Sequence, residues 1–416
     1  EAVVEDVVGG EEAVVEEAVV EEAVVEDVVG GEELIEGDGV KVSIGELADA
    51  YRVAEANYWP ADTNVEALSI GVVGQSGTGK TQLVKALIAK LYWKARETQP
   101  TPLSVLILDY KGDFQKEDSF IELLGGRVLH PVDIPLNVLG VRDVGDLLER
   151  AKKSGELTDV VKKVFPGVGD VQVAHLEDAL DELWDEVGPS PTMEDLLDRY
   201  SAKVPRADGA TASIRKFTRN QVFSSDPASF VSFEDLLGDQ VVVLALNELD
   251  QNQDLKNAVV AVFLNQFYAY MKSRTEWPEQ GKDPTLRRLN SYLVVDEATN
   301  IMRYEFPVLE LLAREGRSFG VGVILSSQYP DDFKTTNTDY AEKLVTWLIH
   351  GVPRIRARDL NDRGVADADD ETVRKIQEQG VHEAYYISHG YRGRFIRGEP
   401  WWRLREGLEA SDAPSP

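Results

Sequence analysis

The 416-residue chain has no cysteine. That excludes disulfides, Cys-ligated zinc and Cys nucleophiles. Histidine is scarce, with five in all. Only His382 and His389 lie near one another; their spacing matches no common zinc pattern, and both read as ordinary surface or core residues. No apolar run approaches the roughly 20 residues that a membrane helix needs, so no spanning segment is read and a cytoplasmic location is expected. No basic region opens the chain, so no signal peptide is read either. The first residue is Glu rather than Met, as in a fragment of a longer protein. Basic residues are outnumbered, 44 Lys and Arg against 74 Asp and Glu, for a net charge of -30. A surface of that sign does not coat itself with nucleic acid, so any DNA contact must come from local basic loops.

The acidity is uneven. Residues 1 to 38 hold 15 acidic side chains and no basic one, which leaves 59 acidic against 44 basic, about -15, for the rest. Within this stretch EAVVE recurs from Glu12, Glu17 and Glu22, and EDVVGG closes two blocks at Gly10 and Gly31. A five-residue period fits neither helix nor strand, and dense like charge opposes compaction. Residues 1–39 therefore read as an acidic low-complexity tail or linker, or, less economically, as an arm competing with DNA for a basic channel.

Beyond it the pattern is that of a folded α/β chain. The segment from Ile44 to Trp59 suggests an amphipathic helix. Apolar strands are expected at Leu68–Val73, Leu103–Asp109, Val241–Leu246, Tyr292–Asp296 and Val321–Ser327, with a helix over Thr81–Arg96. Buried strands alternating with helices indicate a parallel sheet covered on both faces. Residues 142–235 are polar and helical, as in LEDALDELWDEV, and read as an insertion between two halves of a core, 40–141 and 236–353. The remaining segment, 354–416, is mixed, with short strands expected in EAYYIS and GRFIRG and a frayed end at SDAPSP.

The sequence GQSGTGKT at 74–81 matches GxxxxGK[ST] between an expected strand and an expected helix. Glycines let such a loop turn backbone N–H groups onto a phosphate, and the helix N-terminus adds positive potential. Gly74, Gln75, Ser76, Gly77, Thr78, Gly79, Lys80, Thr81 and the following Gln82 are the candidate nucleotide contacts. Lys80 is expected to reach the β- and γ-phosphates and the Thr81 hydroxyl to ligate Mg²⁺. Asp296 ends an apolar strand, where a carboxylate can hold Mg²⁺ through water. Glu297 follows and can polarise an attacking water, although an acidic helix cap has the same look. Gln328, just past another strand, is placed to contact the γ-phosphate or that water. Arg314 and Arg317 lie just upstream and either could act as an arginine finger on a neighbouring subunit, or form surface ion pairs.

Together, GQSGTGKT, LDYKGDF at 108–114, LVVDEATN at 293–300 and AREGRSFGVGVILSSQ at 313–328 resemble the HerA/FtsK group of ring-forming DNA-translocating ATPases. IPLNVLGV at 134–141, the helical insertion and FIRGEPWWR at 395–403 are similar to the C-terminal ATPase part of the DptH (DndH) proteins of phosphorothioation-dependent restriction systems. The resemblance implies a RecA-like P-loop NTPase core with an extra strand between the P-loop strand and the Asp296 strand. It implies ATP and Mg²⁺ as cofactors and a hexamer with ATP at subunit borders. Double-stranded DNA would thread the channel, and other defence-system subunits would be partners. In that setting Glu297 activates water, Gln328 senses the γ-phosphate, and Arg317, or else Arg314, acts in trans.

Three basic clusters are the candidate DNA contacts: Arg215, Lys216 and Arg219; Arg287 and Arg288; and Arg354, Arg356 and Arg358. Each alone is more often a solvated, ion-paired face, but a ring multiplies weak phosphate contacts. The expected function is a DNA translocase or helicase motor of an anti-phage restriction system. The alternatives are a conjugation or secretion coupling ATPase, and a nucleotide-gated scaffold with slow, DNA-independent turnover.

Overall fold

A computed structural model describes residues 37–48, 52–249, 251–276, 284–366, 368–389 and 391–411, all within one compact unit, Glu33–Pro416. Nearly all of the acidic repeat expected at 1–39, and SDAPSP beyond Ser411, lie outside these residues.

Among the described residues, eleven strands form one sheet: β1 Val42–Leu47, β2 Glu55–Tyr58, β3 Ile70–Val73, β4 Ser104–Leu108, β5 Arg127–Leu129, β6 Val241–Leu244, β7 Ser291–Val295, β8 Val321–Ser327, β9 Thr346–Ile349, β10 Glu383–Ser388 and β11 Tyr391–Gly398. Their order is β2-β1-β11-β10-β9-β3-β8-β7-β4-β6-β5. The seven strands from β9 to β5 are mutually parallel, and the other four join antiparallel. This is the RecA-like α/β fold with the expected extra strand, since β8 separates β3 from β7.

The parallel strands are mostly apolar because both faces are covered. β3, β4, β6, β7, β8 and β9 are buried at every position. Along β4, Val105 and Ile107 join the core beneath the helix Lys80–Thr98, while Leu106 and Leu108 join the core shared with the helix Gln253–Lys272. That second face also carries the helices Leu147–Val164, Asp170–Glu186, Met193–Lys203 and Gly209–Arg219, which occupy the polar stretch that interrupts the strand rhythm. On the first face, the C-terminal helix Trp401–Ser411 packs by Trp401 against Trp93 and Phe120, with ring centroids 6.3 and 5.2 Å apart.

The helix expected over 44–59 is not formed. β1 and β2 stand there instead, paired antiparallel with a bulge between Ser43 and Gly45. Gly45 explains the difference. A Cβ on it would lie 2.3 Å from the Arg397 carbonyl oxygen, so the residue admits β11 at close range. The partner strand is about 350 residues away, and no local pattern announces it. β5 and β9 also go unannounced by the sequence pattern; both are short. Among the described residues no helix is long and apolar enough to cross a membrane.

Candidate functional site

The carboxyl ends of β3, β4 and β7 open into a cavity of about 560 Å³ beside the N-terminus of the helix Lys80–Thr98. The loop between β3 and this helix carries positive φ at Gly74, Gly77 and Gly79 (156°, 85° and 94°), a path that side chains other than glycine rarely adopt. Gln75, Ser76, Gly77, Gly79, Lys80, Thr81 and Gln82 all line the cavity. The Lys80 ammonium is buried and donates to the carbonyl oxygens of Gly74 and Gln75. Burial holds its pKa below the ordinary lysine value, with partial compensation from Glu297. Thr78 closes the loop, its hydroxyl donating to the Gln75 carbonyl at 2.8 Å.

The acidic wall comes from β7. Asp296 is 4% exposed, and burial, then the Glu297 and Asp109 carboxylates, pushes its pKa up to about 7. Its Oδ2 is buried without a hydrogen-bond partner. Glu297 turns the chain through φ 50° and accepts from the Lys111 ammonium and, at 3.3 Å, from Gln328 Nε2. Lys80, Thr81, Asp296, Glu297 and Gln328 are therefore brought to one place.

These residues fit a Mg²⁺–nucleotide. A single orphaned carboxylate with a nearby hydroxyl is a donor set for a cation held mainly by phosphate oxygens and water. Lysines Lys80, Lys85, Lys111 and Lys116 face the cavity beside Asp113, Glu117, Asp296 and Glu297. In a chain of net charge -30 this is a local balance of charge.

Two contributions escape a reading of the sequence. The first is Lys111. Asp109, fully buried, accepts from four backbone N–H groups, those of Gly112, Asp113, Phe114 and Gln115. Burial raises the Asp109 pKa even so. The carboxylate folds the loop after β4 and so presents Lys111 to Glu297. Burial lowers the Lys111 pKa, but the bond to Glu297 raises it overall. The DYKGDF motif is its signal. The second is the C-terminal segment. Val381 and His382 line the cavity, so His382 is not the ordinary histidine expected. Its backbone N–H donates to the Thr78 carbonyl at 3.0 Å.

The arginines lie elsewhere. Neither Arg314 nor Arg317 lines this cavity. Arg317 donates to the Thr63 carbonyl at 3.0 Å, and the exposed Arg314 to Glu315. Of the basic clusters, Arg287 is 4% exposed and holds the carbonyls of Asp62 and Val65, so it cannot meet a phosphate backbone. Lys216 pairs with Asp254, and Arg356 with Asp331 and Asp359. Arg215, Arg219, Arg354 and Arg358 are exposed.

Residues 42–267, more than half of the chain, match the family model described as helicase HerA, central domain. The chain belongs to this HerA family. The matched span takes in the P-loop, the DYKGDF loop and the four helices, while Asp296, Glu297 and Gln328 come after it. No curated protein sequence matches this HerA-type chain. Among solved structures it is similar to VirB4 of Thermoanaerobacter pseudethanolicus, with TM-score 0.63 and 16% identity over 87% of this chain and 97% of that one. It is also similar to the plasmid coupling protein TrwB in complex with ADP and Mg²⁺, with TM-score 0.54 and 14% identity over 81% and 87%. A second TrwB complex, with a non-hydrolysable GTP analogue, gives 0.53 and 15% over 82% and 88%. At these identities the likeness is one of fold.

Proposed function

We propose that the chain is the Mg²⁺-dependent ATP-hydrolysing motor of a DNA translocase or helicase, working as a homo-hexameric ring on double-stranded DNA in a DptH-like restriction system. The observation that carries the reading is the convergence of Lys80, Asp296 and Glu297 on one cavity, with Gln328 bonded to Glu297, in a HerA-family chain. The P-loop amides and Lys80 bind and orient the triphosphate. Thr81 and Asp296 would hold Mg²⁺, which neutralises phosphate charge when bound. Glu297, steadied by Lys111 and Gln328, takes the proton of the attacking water. Arg314 is the better placed finger, because it is exposed and its bond to Glu315 is a surface one, whereas the half-buried Arg317 holds a backbone carbonyl of its own chain. The exposed Arg215, Arg219, Arg354 and Arg358 remain the candidate DNA contacts.

The test is steady-state hydrolysis with Mg²⁺, with and without long duplex DNA, using Glu297→Gln as the blank. Strong stimulation by DNA is expected. Hydrolysis indifferent to DNA at ring-forming concentrations would instead favour a coupling role, the one for which TrwB is named, or a scaffold. In mixed assemblies, wild-type subunits should rescue an Arg314→Ala subunit if the finger works in trans.

A further inference from the structure

The cavity has two unlike sets of walls. Lys80, Thr81, Asp296 and Glu297 suit phosphates and a cation. Val381 and His382 suit neither. Val381 is 62% exposed, an apolar side chain left bare on a cavity wall. Trp402, 41% exposed, sets its ring 6.3 Å from that of His382, tilted by 59°. A single bare apolar residue means little. Here a bare valine and a bare indole flank one imidazole.

We propose that Val381, His382 and Trp402 form the wall that grips the nucleobase of a nucleoside triphosphate whose phosphates lie on the P-loop. This rests on the nucleotide reading above and extends it to the base. Every base has a π-face, and stacking on aromatic side chains is a general means of holding one. Burial lowers the His382 pKa, so at neutral pH its ring is an uncharged surface.

The wall is fastened to the phosphate cradle. The His382 backbone sits at φ 67°, donates to the Thr78 carbonyl, and accepts from the Gly398 N–H at 2.8 Å. The Trp402 backbone N–H donates to Gln82 Oε1 at 3.3 Å. A Cβ on Gly79 would come within 2.3 Å of His382 Nδ1, so the ring lies directly on the loop. The base wall and the cradle are thus positioned as one piece, although about 300 residues separate them in sequence.

Calorimetric titration of the whole chain with ATP and with inorganic triphosphate, both with Mg²⁺, tests this. Wild type should bind ATP the more tightly. Trp402→Ala, at an exposed position, should weaken ATP about five- to a hundredfold, the uncharged Val381→Ser should weaken it less, and both should leave triphosphate affinity unchanged. Equal losses for the two ligands, or no loss for ATP, would overturn the proposal. So would a wild type that binds both ligands equally, with the nucleotide reading intact. A wild type that binds neither ligand would overturn the nucleotide reading itself, and the base wall with it.

Discussion

The cavity and the four-helix stretch from Leu147 to Arg219 are built on opposite principles. Around the cavity the backbone is forced: Gly74, Gly77, Gly79, Glu297 and His382 all have positive φ. Asp296 keeps a buried oxygen without a partner. In backbone conformation the helices show the reverse. Between Leu147 and Arg219 positive φ falls only on glycine. Asp146, Thr192 and Asp208 cap three of the helices, and Gln172 accepts the Gly169 N–H before the fourth. Strained backbone persists where a ligand or a reaction uses it, whereas a supporting element keeps its chain in ordinary conformations and its helix ends capped. Mutations should therefore separate the regions, one losing turnover and the other losing stability.

The largest effect is expected at Glu297. Glu297→Gln should lower the hydrolysis rate by more than about 10²-fold while ATP still binds, as read by steady-state turnover beside equilibrium binding. Normal turnover would remove the base from this residue. Next is Gly79→Ala. Its added methyl meets His382 at a φ that alanine resists, a strain of about 1–3 kcal/mol, and nucleotide affinity should fall roughly tenfold or more with little change in melting temperature. An unchanged affinity would mean that the loop tolerates another path.

Asp208→Ala should do the opposite. The cap and its bonds to Thr211 and Tyr200 vanish, costing about 1 kcal/mol of stability, with hydrolysis per folded molecule unchanged. Burial tends to raise the Asp208 pKa, but hydrogen bonds from Thr211 and Tyr200 hold it below the ordinary value. A depressed folded pKa contributes stability above the unfolded value, about 3.9, and loses it as pH falls through the folded one. The stability difference between wild type and variant should thus be full at pH 7 and shrink below about pH 4, measured by denaturant unfolding. A difference independent of pH would assign the loss to packing.

The sequence disclosed what is local. The P-loop, Asp296, Glu297 and Gln328 each sit at a strand end whose apolar run is visible beforehand, and the structure brings them together. The apolar pattern predicts β8 at its observed bounds because seven consecutive buried residues leave little else to be. What is illegible is what depends on distant pairing. β1 looks helical until β11 lies beside it. Val381 and His382 carry no motif, and their place at the cavity follows from β10 and β11 folding back across the sheet. Arg287 looks like half of a basic patch, and only burial shows that it binds carbonyls instead.

The strand that stands between β3 and β7 acts as a calliper. Two inter-strand spacings set the P-loop strand about 9.5 Å from the strand that ends in Asp296. A gap of that width leaves room for a third body between the two strand ends. Gln328, at the tip of the spacer strand, reaches to Glu297 at the neighbouring strand end. Whatever enters is measured against three strand ends at once, and a shift of β8 by one residue would misalign all of them.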